Sequence, residues 1–533
     1  MSSEGEALTA STSYGTVDDV LELLPAVTLT LAGDALLISG QPVSKPSRTC
    51  GIASSAPNGP PSSIPYYNIL WADVTEDLRY LRVDFAEQVR SHRLGVRNLK
   101  FAIPPRETPR SDIAPWVERL IDRAYSGVAR RKRAWVLVNP HAGPGGADKV
   151  WDAEVKPIFE AARMPLTVVR TAYSGEAVHL AKEVNIDDFD IAVPCSGDGL
   201  PHEVFNGLAK RADARRALSK IAVCHIPCGS GNAMSCNLYG THRPTLAALA
   251  IVKGIPTPLD LVSITQGDQR TVSFLSQALG MIADLDITTE HLRWMGASRF
   301  TYGFLILAFQ QRTYPCDIAV KVDIEHKEHI KDHYRQQVVQ FSGERNEAGQ
   351  ASDRSTKPEP IQSPSLAPSA PESDDGMGLP PLKYGTVLEK LPEGWELVPH
   401  EKLGNFYCGN MAYMAPDANF FSAALANDGL MDLITVDGDI SPLKSIAMQM
   451  SVESGHFFDN PLVTYRKVSA YRIIPRDPNA KSYISIDGES IPWQPFQAEI
   501  HQGLGLTLSK KGAFDAPGPL NWDKVTTSER LRA

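Results

Sequence analysis

Cysteine is scarce in this sequence, with 7 residues in a chain of 533. So small and odd a number does not build a disulfide scaffold, and it indicates a reduced, intracellular protein. No run of about 18 apolar residues occurs, so we expect no transmembrane helix. Residues 1–6 contain neither a basic region nor an apolar run, which predicts no secretory signal. These absences predict a cytoplasmic protein that meets intracellular membranes only peripherally.

An excess of positive charge is also missing. The chain has 53 Lys and Arg residues against 62 Asp and Glu residues, a formal net charge of −9. Proteins that bind nucleic acid neutralise its phosphates with clustered Lys and Arg, so we expect no nucleic-acid partner. Apolar residues make up 43% and charged residues 22%, which is ordinary for a globular protein. The length favours about three domains.

Some segments depart from this globular composition. Residues 344–382 are rich in Pro, Ser, Asp and Glu and poor in apolar residues. Such a segment cannot bury enough apolar surface to offset the entropy lost on ordering, so we predict a disordered insertion. Residues 1–18 are likewise predicted to form a disordered tail, and residues 513–533 a loose tail.

Residues 19–130 are predicted to form a small β-rich module that ends in a helix. Apolar residues alternate at Val27, Leu29 and Leu31, as in a half-buried strand. After Pro115, a residue common in first helical turns, apolar residues recur with helical spacing. This apolar face consists of Trp116, Val117, Leu120, Ile121, Ala124, Tyr125 and Val128. Strands followed by one amphipathic helix are compatible with an adaptor module of the pleckstrin-homology kind.

The remaining sequence is predicted to form two further domains. Between residues 131 and 258, strand-like runs alternate with helical runs, which is typical of an open parallel sheet with helices on both faces. The strand-like runs are residues 135–138, 166–169, 190–193 and 221–223. Residues 259–343 and 383–512 contain short alternating strands and predict an antiparallel β-sandwich. The expected fold class is therefore α/β plus β, preceded by the β-rich module.

Polar or glycine-rich turns follow the predicted strands of the α/β domain. They are residues 139–147, 171–176, 196–199 and 227–232. The carboxyl ends of parallel strands face one edge of the sheet, where ligands bind. Glycines let backbone N–H groups approach an anion, and helix N-termini add positive potential. Together the turns predict one phosphate site, although the first turn has neither a P-loop Lys nor, at Asp148, the third glycine of a dinucleotide fingerprint.

Asp198 lies between two glycines directly after a predicted strand. A carboxylate beside a phosphate site is unfavourable unless it binds Mg²⁺ or takes a proton from a nucleophile, and phosphoryl transfer uses both roles. The alternative is an N-cap for the helix that follows, a position Asp favours. Glu203, in the first turn of that helix, also has an alternative explanation, because it complements the helix dipole.

Further motifs follow these turns along the chain. The full set is Asn139-Pro140 with its glycine-rich turn, Ser196-Gly197-Asp198-Gly199, Gly229-Ser230-Gly231-Asn232, Ala283-Asp284-Leu285-Asp286, Arg293 with Arg299, Asn427-Asp428-Gly429 and Asp487-Gly488-Glu489. This set resembles the diacylglycerol-kinase catalytic-domain superfamily and, within it, the sphingosine kinases, specifically the fungal long-chain-base kinases. The resemblance covers about residues 133–343 and 400–510. Ser196 favours this subfamily, because diacylglycerol and ceramide kinases usually have Gly there.

The resemblance implies an ATP-dependent kinase that phosphorylates the primary hydroxyl of sphingoid long-chain bases to give the 1-phosphate. Asp198 would be the general base, and Asp286 would bind the amino-alcohol head of the lipid. The α/β domain would bind the nucleotide, and the β-sandwich would hold the lipid chain in an apolar pocket. ATP would come with Mg²⁺, whose direct ligands stay open, as does the oligomeric state. The residues implied to line the ATP site are Asn139, Pro140, Thr171, Ser196, Gly197, Glu203, Gly229, Ser230, Gly231, Asn232, Arg293, Arg299, Gly488 and Glu489.

Three other functions stay open on the sequence. A ceramide or diacylglycerol kinase would share the fold, but neither lipid carries a cation for Asp286. A catalytically silent lipid or nucleotide binding module is a different class, and the presence of Asp198 argues against it. A kinase of nicotinamide dinucleotides uses a similar Gly-Asp turn, whereas the long β domain fits a lipid chain better.

Overall fold

The computed structural model describes residues 19–40, 61–104, 113–143, 145–289, 303, 307, 309–351, 378–477, 480, 482–520 and 522. The chain divides into two compact units, one of residues 1–132 with 152–165 and one of residues 133–151 with 166–533. Arg293 and Arg299 lie outside the described residues, as do residues 1–18. Within the described ranges, no helix is long and apolar enough to cross a membrane.

The strands of the first unit form two antiparallel sheets. In spatial order, the four-stranded sheet consists of β1 (Val20–Leu23), β2 (Val27–Leu31), β3 (Ala35–Ser39) and β4 (Ser63–Pro65). The three-stranded sheet consists of β5 (Ile69–Val74), β6 (Tyr80–Arg90) and β7 (Arg93–Ala102). A 3₁₀ turn, Tyr66–Asn68, precedes β5, and a bridge between Leu24 and Ala102 joins the two sheets.

Helix α1 (Ile113–Tyr125) packs against the first unit's strands through its apolar face. The predicted face is buried from Trp116 to Tyr125, whereas Val128 lies beyond the end of the helix. The Trp116 indole donates to the carbonyl of Asp19 (3.3 Å), and Arg123 donates to the carbonyl of Leu31 (2.7 Å). These bonds tie both ends of the helix to the first strands.

A second helical segment is divided between the two units. The chain runs from α2 (Ala147–Val150) through a π-helical segment (Trp151–Val155) into α3 (Lys156–Ala161). Helix α3 belongs to the first unit, where it packs against β5, β6 and β7. Arg163, just after α3, donates to Asp73 (3.2 Å) and Asp84 (3.1 Å) of these strands. The sequence pattern alone assigned this helix to the α/β domain.

A parallel sheet opens the second unit. Its strands are β8 (Ala134–Val138), β9 (Leu166–Arg170), β10 (Ile191–Ser196), β11 (Ala222–Val223) and β12 (Ile226–Pro227). The order is β11-β10-β8-β9, with β12 continuing beside β10. The helices that follow the strands are α4 (Glu176–Glu183), α5 (Gly199–Ala209), α6 (Ala214–Lys220), α7 (Ala233–Tyr239) and α8 (Pro244–Val252). The predicted parallel α/β arrangement is confirmed.

An 11-stranded antiparallel sheet forms most of the rest of this unit. Its strands are β13 (Ile255–Gln266), β14 (Gln269–Ser273), β15 (Ser276–Gly280), β16 (Cys316–Ile324), β17 (Val398–His400), β18 (Leu403–Gly409), β21 (Met431–Asp437), β22 (Thr464–Pro475), β23 (Ile484–Ile486), β24 (Glu489–Ile491) and β25 (Phe496–Ser509). The main order is β14-β13-β25-β22-β21-β18-β15-β23-β24, and β16 pairs with β17 and β22. A separate hairpin comprises β19 (Tyr413–Ala415) and β20 (Ala418–Asn419).

Helices also occur in this largely antiparallel region. They are α9 (Met281–Thr288), α10 (Lys327–Ala351) and α11 (Pro442–Glu453). Helix α10 extends past residue 344, where the disordered insertion was predicted to begin. Its last turns contain Glu, Arg, Gln and Ala, which are good helix formers, so a composition poor in apolar residues did not prevent a helix there.

A buried ionic network joins β22 to β21 and to the segment before β21. Lys467 is fully buried, and its Nζ donates to Asp428 (2.8 Å) and Asp432 (3.1 Å). The Tyr465 hydroxyl donates to Asp432 (2.6 Å). Burial raises the pKa of Asp432 to about 6, and Lys467 opposes this shift. The motif Asn427-Asp428-Gly429 thus contributes a buried charge in addition to its turn.

We expect Lys467→Met to lower the free energy of unfolding by about 3–5 kcal/mol, because Asp432 loses its buried cation and Asp428 keeps only His333 as a basic partner. The control is Lys402→Met, which breaks an exposed pair with Asp439 and should cost less than about 1 kcal/mol. The measurement is the midpoint of urea unfolding by circular dichroism. Equal midpoints for the two variants would contradict the prediction.

Candidate functional site

Three of the turns at the edge of the parallel sheet contact each other through glycine backbone. A β-carbon on Gly229 would lie 2.4 Å from Cα of Gly197, and one on Gly143 would lie 2.5 Å from the carbonyl oxygen of Cys228. Gly143 also has a φ of +58°, which L-residues with side chains rarely adopt. These positions require glycine, because any side chain would separate the turns.

Asn139 and Asn232 shape their own turns. The Asn139 side chain accepts a hydrogen bond from the His141 N–H (3.0 Å), and Pro140 lies between them. The Asn232 amide donates to the carbonyl of Gly229 and accepts from its N–H, both at 2.8 Å. Both side-chain amides therefore hold the backbone in place. The two hydrogen bonds between Asn232 and Gly229 close a loop that contains Ser230 and Gly231.

The second turn lies beside the first and is held by Glu203. Thr171 donates its N–H to the carbonyl of Val138 at the end of β8 (2.9 Å). Glu203 accepts from the backbone N–H groups of Gly175 (3.0 Å) and Ala177 (3.1 Å), at the start of α4. Burial, with the charge of Glu489, raises the pKa of Glu203, and the two N–H donors oppose this rise. Glu203 therefore positions the second turn from the neighbouring helix.

Asp198 stands at the N-terminus of α5, but its side chain does not cap that helix. Its two carboxylate oxygens accept from the N–H groups of Ala233 (2.9 Å) and Met234 (3.0 Å), at the start of α7. The carboxylate is 14% exposed, so a ligand in the turns can still reach it. The N-cap explanation thus holds for a different helix from the one expected, because the contact between Gly197 and Gly229 brings α7 alongside.

Asp487 is a buried carboxylate that joins α5 to the antiparallel sheet. It accepts from the backbone N–H groups of residues 274–276 (2.9–3.0 Å) and from the Ser273 hydroxyl. It also accepts from Nδ1 of His202 in α5 (2.8 Å). Burial disfavours the charged imidazole, but the bond to Asp487 and the nearby charges of Glu489 and Glu203 raise the pKa of His202.

Gly488 and Glu489 follow Asp487 and reach the start of α5 and Asp286. A β-carbon on Gly199 would lie 3.2 Å from Oε1 of Glu489, so the two residues are in contact. A β-carbon on Gly488 would lie 3.7 Å from a carboxylate oxygen of Asp286. The 487–489 turn therefore lies between Asp286 and the start of α5.

The two aspartates of the 283–286 motif have different environments. Asp284 is buried and accepts from Arg312 (2.9 Å) and the Tyr314 hydroxyl (2.7 Å). Asp286 is half-buried and accepts from the Ser485 hydroxyl (2.9 Å). Burial, with the charges of Asp286, Asp487 and Asp198, raises the pKa of Tyr407. Asp286 also lies beside the 487–489 turn, whose Glu489 contacts Gly199, the residue after Asp198.

Two cavities adjoin this constellation. One lies against the fourth turn and is lined by Cys228, Gly229, Ser230, Asn232, His242 and Asp417, with two prolines. The other lies between α9, α11 and the strands β18 and β21, and its lining is mostly apolar. Its apolar side chains include Met281, Ile282, Phe420, Val436, Met448 and Phe457.

Several residues that shape the site were not predicted for it. His202 and Asp487 are 285 positions apart, so no sequence spacing pairs them. Asn206 bonds to the backbone of Val272 (2.8 and 2.9 Å) and ties α5 to β14, again without a local signal. Arg293 and Arg299 lie outside the described residues, so their predicted role stays a prediction.

Comparison with known proteins identifies the family. The diacylglycerol kinase catalytic domain matches residues 133–264, and a domain of unknown function (DUF7493) matches residues 19–126. Sphingoid long chain base kinase 4 of Schizosaccharomyces pombe is 33% identical over 476 residues, covering 89% of this chain and 93% of that protein. The chain belongs to the sphingoid long chain base kinase family. The resemblance found in the motifs is thereby confirmed.

Three further similar proteins differ in how much of this chain they match and in their identity to it. Sphingoid long chain base kinase 5 of Saccharomyces cerevisiae is 35% identical and matches 75% of this chain, which spans 62% of that protein's length. Sphingosine kinase 1 of Homo sapiens is 27% identical, covering 72% of this chain and 92% of that protein. A solved putative diacylglycerol kinase from Bacillus anthracis has a TM-score of 0.47 at 17% identity, covering 72% of this chain and 98% of that one.

We expect Gly229→Ala to destabilise the second unit by about 1–3 kcal/mol, because the added methyl group overlaps the backbone of Gly197. Gly33→Ala is the control, since a β-carbon there meets nothing within 4 Å. Thermal unfolding of both variants measures the effect. A Gly229→Ala protein as stable as the control would show that the turns separate at no cost.

Proposed function

We propose that this protein is an ATP-dependent kinase that phosphorylates the primary hydroxyl of sphingoid long-chain bases to give the 1-phosphate. The observation that carries the proposal is the 487–489 turn, which contacts Asp286 at Gly488 and, through Glu489, contacts Gly199, the residue directly after Asp198. A sphingoid base carries an ammonium group next to its primary hydroxyl. One carboxylate for the cation and one for the hydroxyl proton match that pair of groups.

The phosphates of ATP would bind the turns mainly through backbone N–H groups. The contacts of Gly197 with Gly229 and of Gly143 with Cys228 bring three backbone segments together, which favours an anion. The residues proposed to line this site are Asn139, Pro140, Thr171, Ser196, Gly197, Glu203, Gly229, Ser230, Gly231, Asn232, Gly488 and Glu489, with Arg293 and Arg299. Of these, Asn139, Glu203 and Asn232 would act by holding the turns in place, since their side chains bind backbone.

A magnesium ion fits this arrangement as part of the nucleotide substrate. Within the described part of the chain, no group of three or more His, Cys, Asp or Glu side chains is placed to hold a metal. Mg²⁺ usually binds one or two carboxylates together with substrate phosphates, so a dedicated cluster is not needed. The exposed Glu489, against Gly199, would hold the ion. When bound, Mg²⁺ neutralises charge on the β- and γ-phosphate oxygens.

Asp198 would act as the general base. It takes the proton of the lipid hydroxyl as the hydroxyl oxygen attacks the γ-phosphorus, and the bond from that phosphorus to the β–γ bridging oxygen breaks. Its two backbone N–H partners fix the carboxylate in one orientation. Because Asp284 is committed to Arg312 and Tyr314, Asp286 is the carboxylate of its motif proposed to pair with the lipid ammonium.

The apolar cavity beside α9 would receive the hydrocarbon chain. Ile282, in its lining, and Asp286 are four positions apart in α9, so they lie on the same side of the helix. Head and chain would therefore bind along one helix. Val262 of β13 and Leu279 of β15 share one core although four strands separate β13 from β15, which supports the proposed sandwich of two layers.

The cellular setting follows from the chemistry of the proposed substrate. A sphingoid base is amphipathic and partitions into membranes, so we propose a cytoplasmic enzyme in peripheral contact with intracellular membranes. The β-rich module of residues 19–130 is proposed to be an adaptor of the pleckstrin-homology kind, supported by its two antiparallel sheets and α1.

The function is tested by offering radiolabelled ATP and Mg²⁺ with sphinganine, ceramide, diacylglycerol and NAD in parallel. We expect label on sphinganine alone. Asp198→Asn should keep the fold and reduce transfer by about 10²–10⁴-fold, because the amide cannot take the proton. Label on ceramide, diacylglycerol or NAD instead would replace the substrate class, and tight ATP binding without transfer would favour a silent binding module.

Asp286→Asn should raise KM for sphinganine by at least about tenfold while KM for ATP changes little, because only the lipid cation loses its partner. The matched control is Asp268→Asn, in the exposed β13–β14 turn, which should leave both constants unchanged. Steady-state kinetics with each substrate varied in turn measures the effect. Equal increases in both KM values would contradict the assignment of Asp286.

A further inference from the structure

His225 is a fully buried histidine between β11 and β12, beside the proposed base. Its Nε2 lies 3.0 Å from the carbonyl oxygen of Ser196. A carbonyl only accepts, so Nε2 carries the proton, and in the neutral ring Nδ1 is then an acceptor. The contact with Ser196 therefore determines that Nδ1 is the ring nitrogen with a free lone pair.

Nδ1 of His225 points toward Asp198. It lies 3.8 Å from Oδ1 of Asp198 and has no hydrogen-bond partner among the described residues. While Asp198 is ionised, both of these atoms are acceptors and cannot bond to each other. A buried acceptor without a donor is costly, so this pair is incomplete in the ionised state of the site.

The hydrogen bonds of Asp198 also bear on proton transfer. Asp198 accepts two backbone N–H groups, from Ala233 and Met234, so each of its oxygens already has one lone pair bound to a donor. A general base must accept a proton, which then takes one of the remaining lone pairs. A proton on Oδ1 would supply the donor that Nδ1 lacks.

We propose that His225 is a positioning residue of the reaction, which accepts a hydrogen bond from Asp198 once Asp198 has taken the proton of the substrate hydroxyl. This inference rests on the proposed function, in which Asp198 is the base. The O–H bond of the substrate breaks and one forms on Asp198, whose proton stays there and bonds to Nδ1. The imidazole remains neutral, and Asp198 returns the proton to water after product release.

The surroundings of His225 support a neutral ring. Among the described residues, the titratable groups that contact His225 include Asp198, from the turn before α5, and Tyr239, from α7, whose hydroxyl accepts the backbone N–H of His225 (3.3 Å). Burial lowers the pKa of His225, and the charge of Asp198 opposes this shift. A distance of 3.8 Å is long for a hydrogen bond, but such contacts often shorten when the substrate binds.

Two amide substitutions separate the two nitrogen atoms of the ring. His225→Gln keeps a donor near Nε2 for Ser196 and removes the acceptor at the Nδ1 position. His225→Asn keeps a polar acceptor near Nδ1 and loses the bond to Ser196. The full-length protein and both variants are assayed for kcat and KM with sphinganine across pH, and for thermal stability.

We expect His225→Gln to lower kcat by about tenfold with both KM values near those of the unsubstituted protein, since one buried hydrogen bond to the acid form is lost. The acidic limb of kcat against pH should move to lower pH, because the protonated site loses a hydrogen bond to Nδ1 that the ionised site does not make. His225→Asn should be less stable but keep the acidic limb in place. If His225→Gln unfolds, His225→Leu replaces it with the same expectation.

If His225→Gln, which lacks the acceptor at the Nδ1 position, keeps kcat and its pH profile unchanged, the proposed role of His225 is wrong. A loss of activity in both amide variants that simply follows their thermal stability would also overturn that role. Asp198→Asn, assayed alongside, distinguishes the two proposals. If that variant remains active, the proposed base is wrong, whereas an inactive Asp198→Asn with an unaffected His225→Gln rejects only the role of His225.

Discussion

The buried carboxylate of Asp487 is the interaction on which the site depends. It accepts five hydrogen bonds, from the backbone of residues 274–276, the Ser273 hydroxyl and His202. An ionised group is tolerated inside a protein only when its oxygens are satisfied in this way. Because the next residues are Gly488 and Glu489, these bonds also determine how the antiparallel sheet meets α5. Asp286 and the start of α5 then lie on either side of one short turn.

The acidic residues of the site have separate physical roles. Glu203 and Asp487 hold backbone N–H groups and position the turns. Asp284 is occupied by Arg312 and Tyr314. Asp198 and Asp286 stay partly accessible, at 14% side-chain exposure for Asp198 and in a half-buried position for Asp286, and Glu489 is exposed. Burial and hydrogen bonding, more than residue type, therefore separate structural carboxylates from those proposed to meet the substrate.

Much of the fold followed from local patterns in the sequence. The apolar runs between residues 131 and 258 correctly placed β8 to β11, and β8 and β10 are apolar throughout because both of their faces are buried, whereas the two-residue β12 was not predicted. The helical spacing around Trp116 and Leu120 likewise identified the buried face of α1. Composition predicted the start of the insertion less well, because α10 extends past residue 344 to Ala351 through a segment that contains good helix formers.

By itself the sequence determined the family, the glycine turns and the candidate residues Asp198 and Asp286, because motif chemistry is local and is read from short spacings. Only the tertiary structure decided what each side chain touches. It assigned the Asp198 carboxylate to α7, paired His202 with Asp487 across 285 positions and placed His225 beside Asp198. Such contacts depend on how distant segments pack around a shared core, and no local periodicity encodes them.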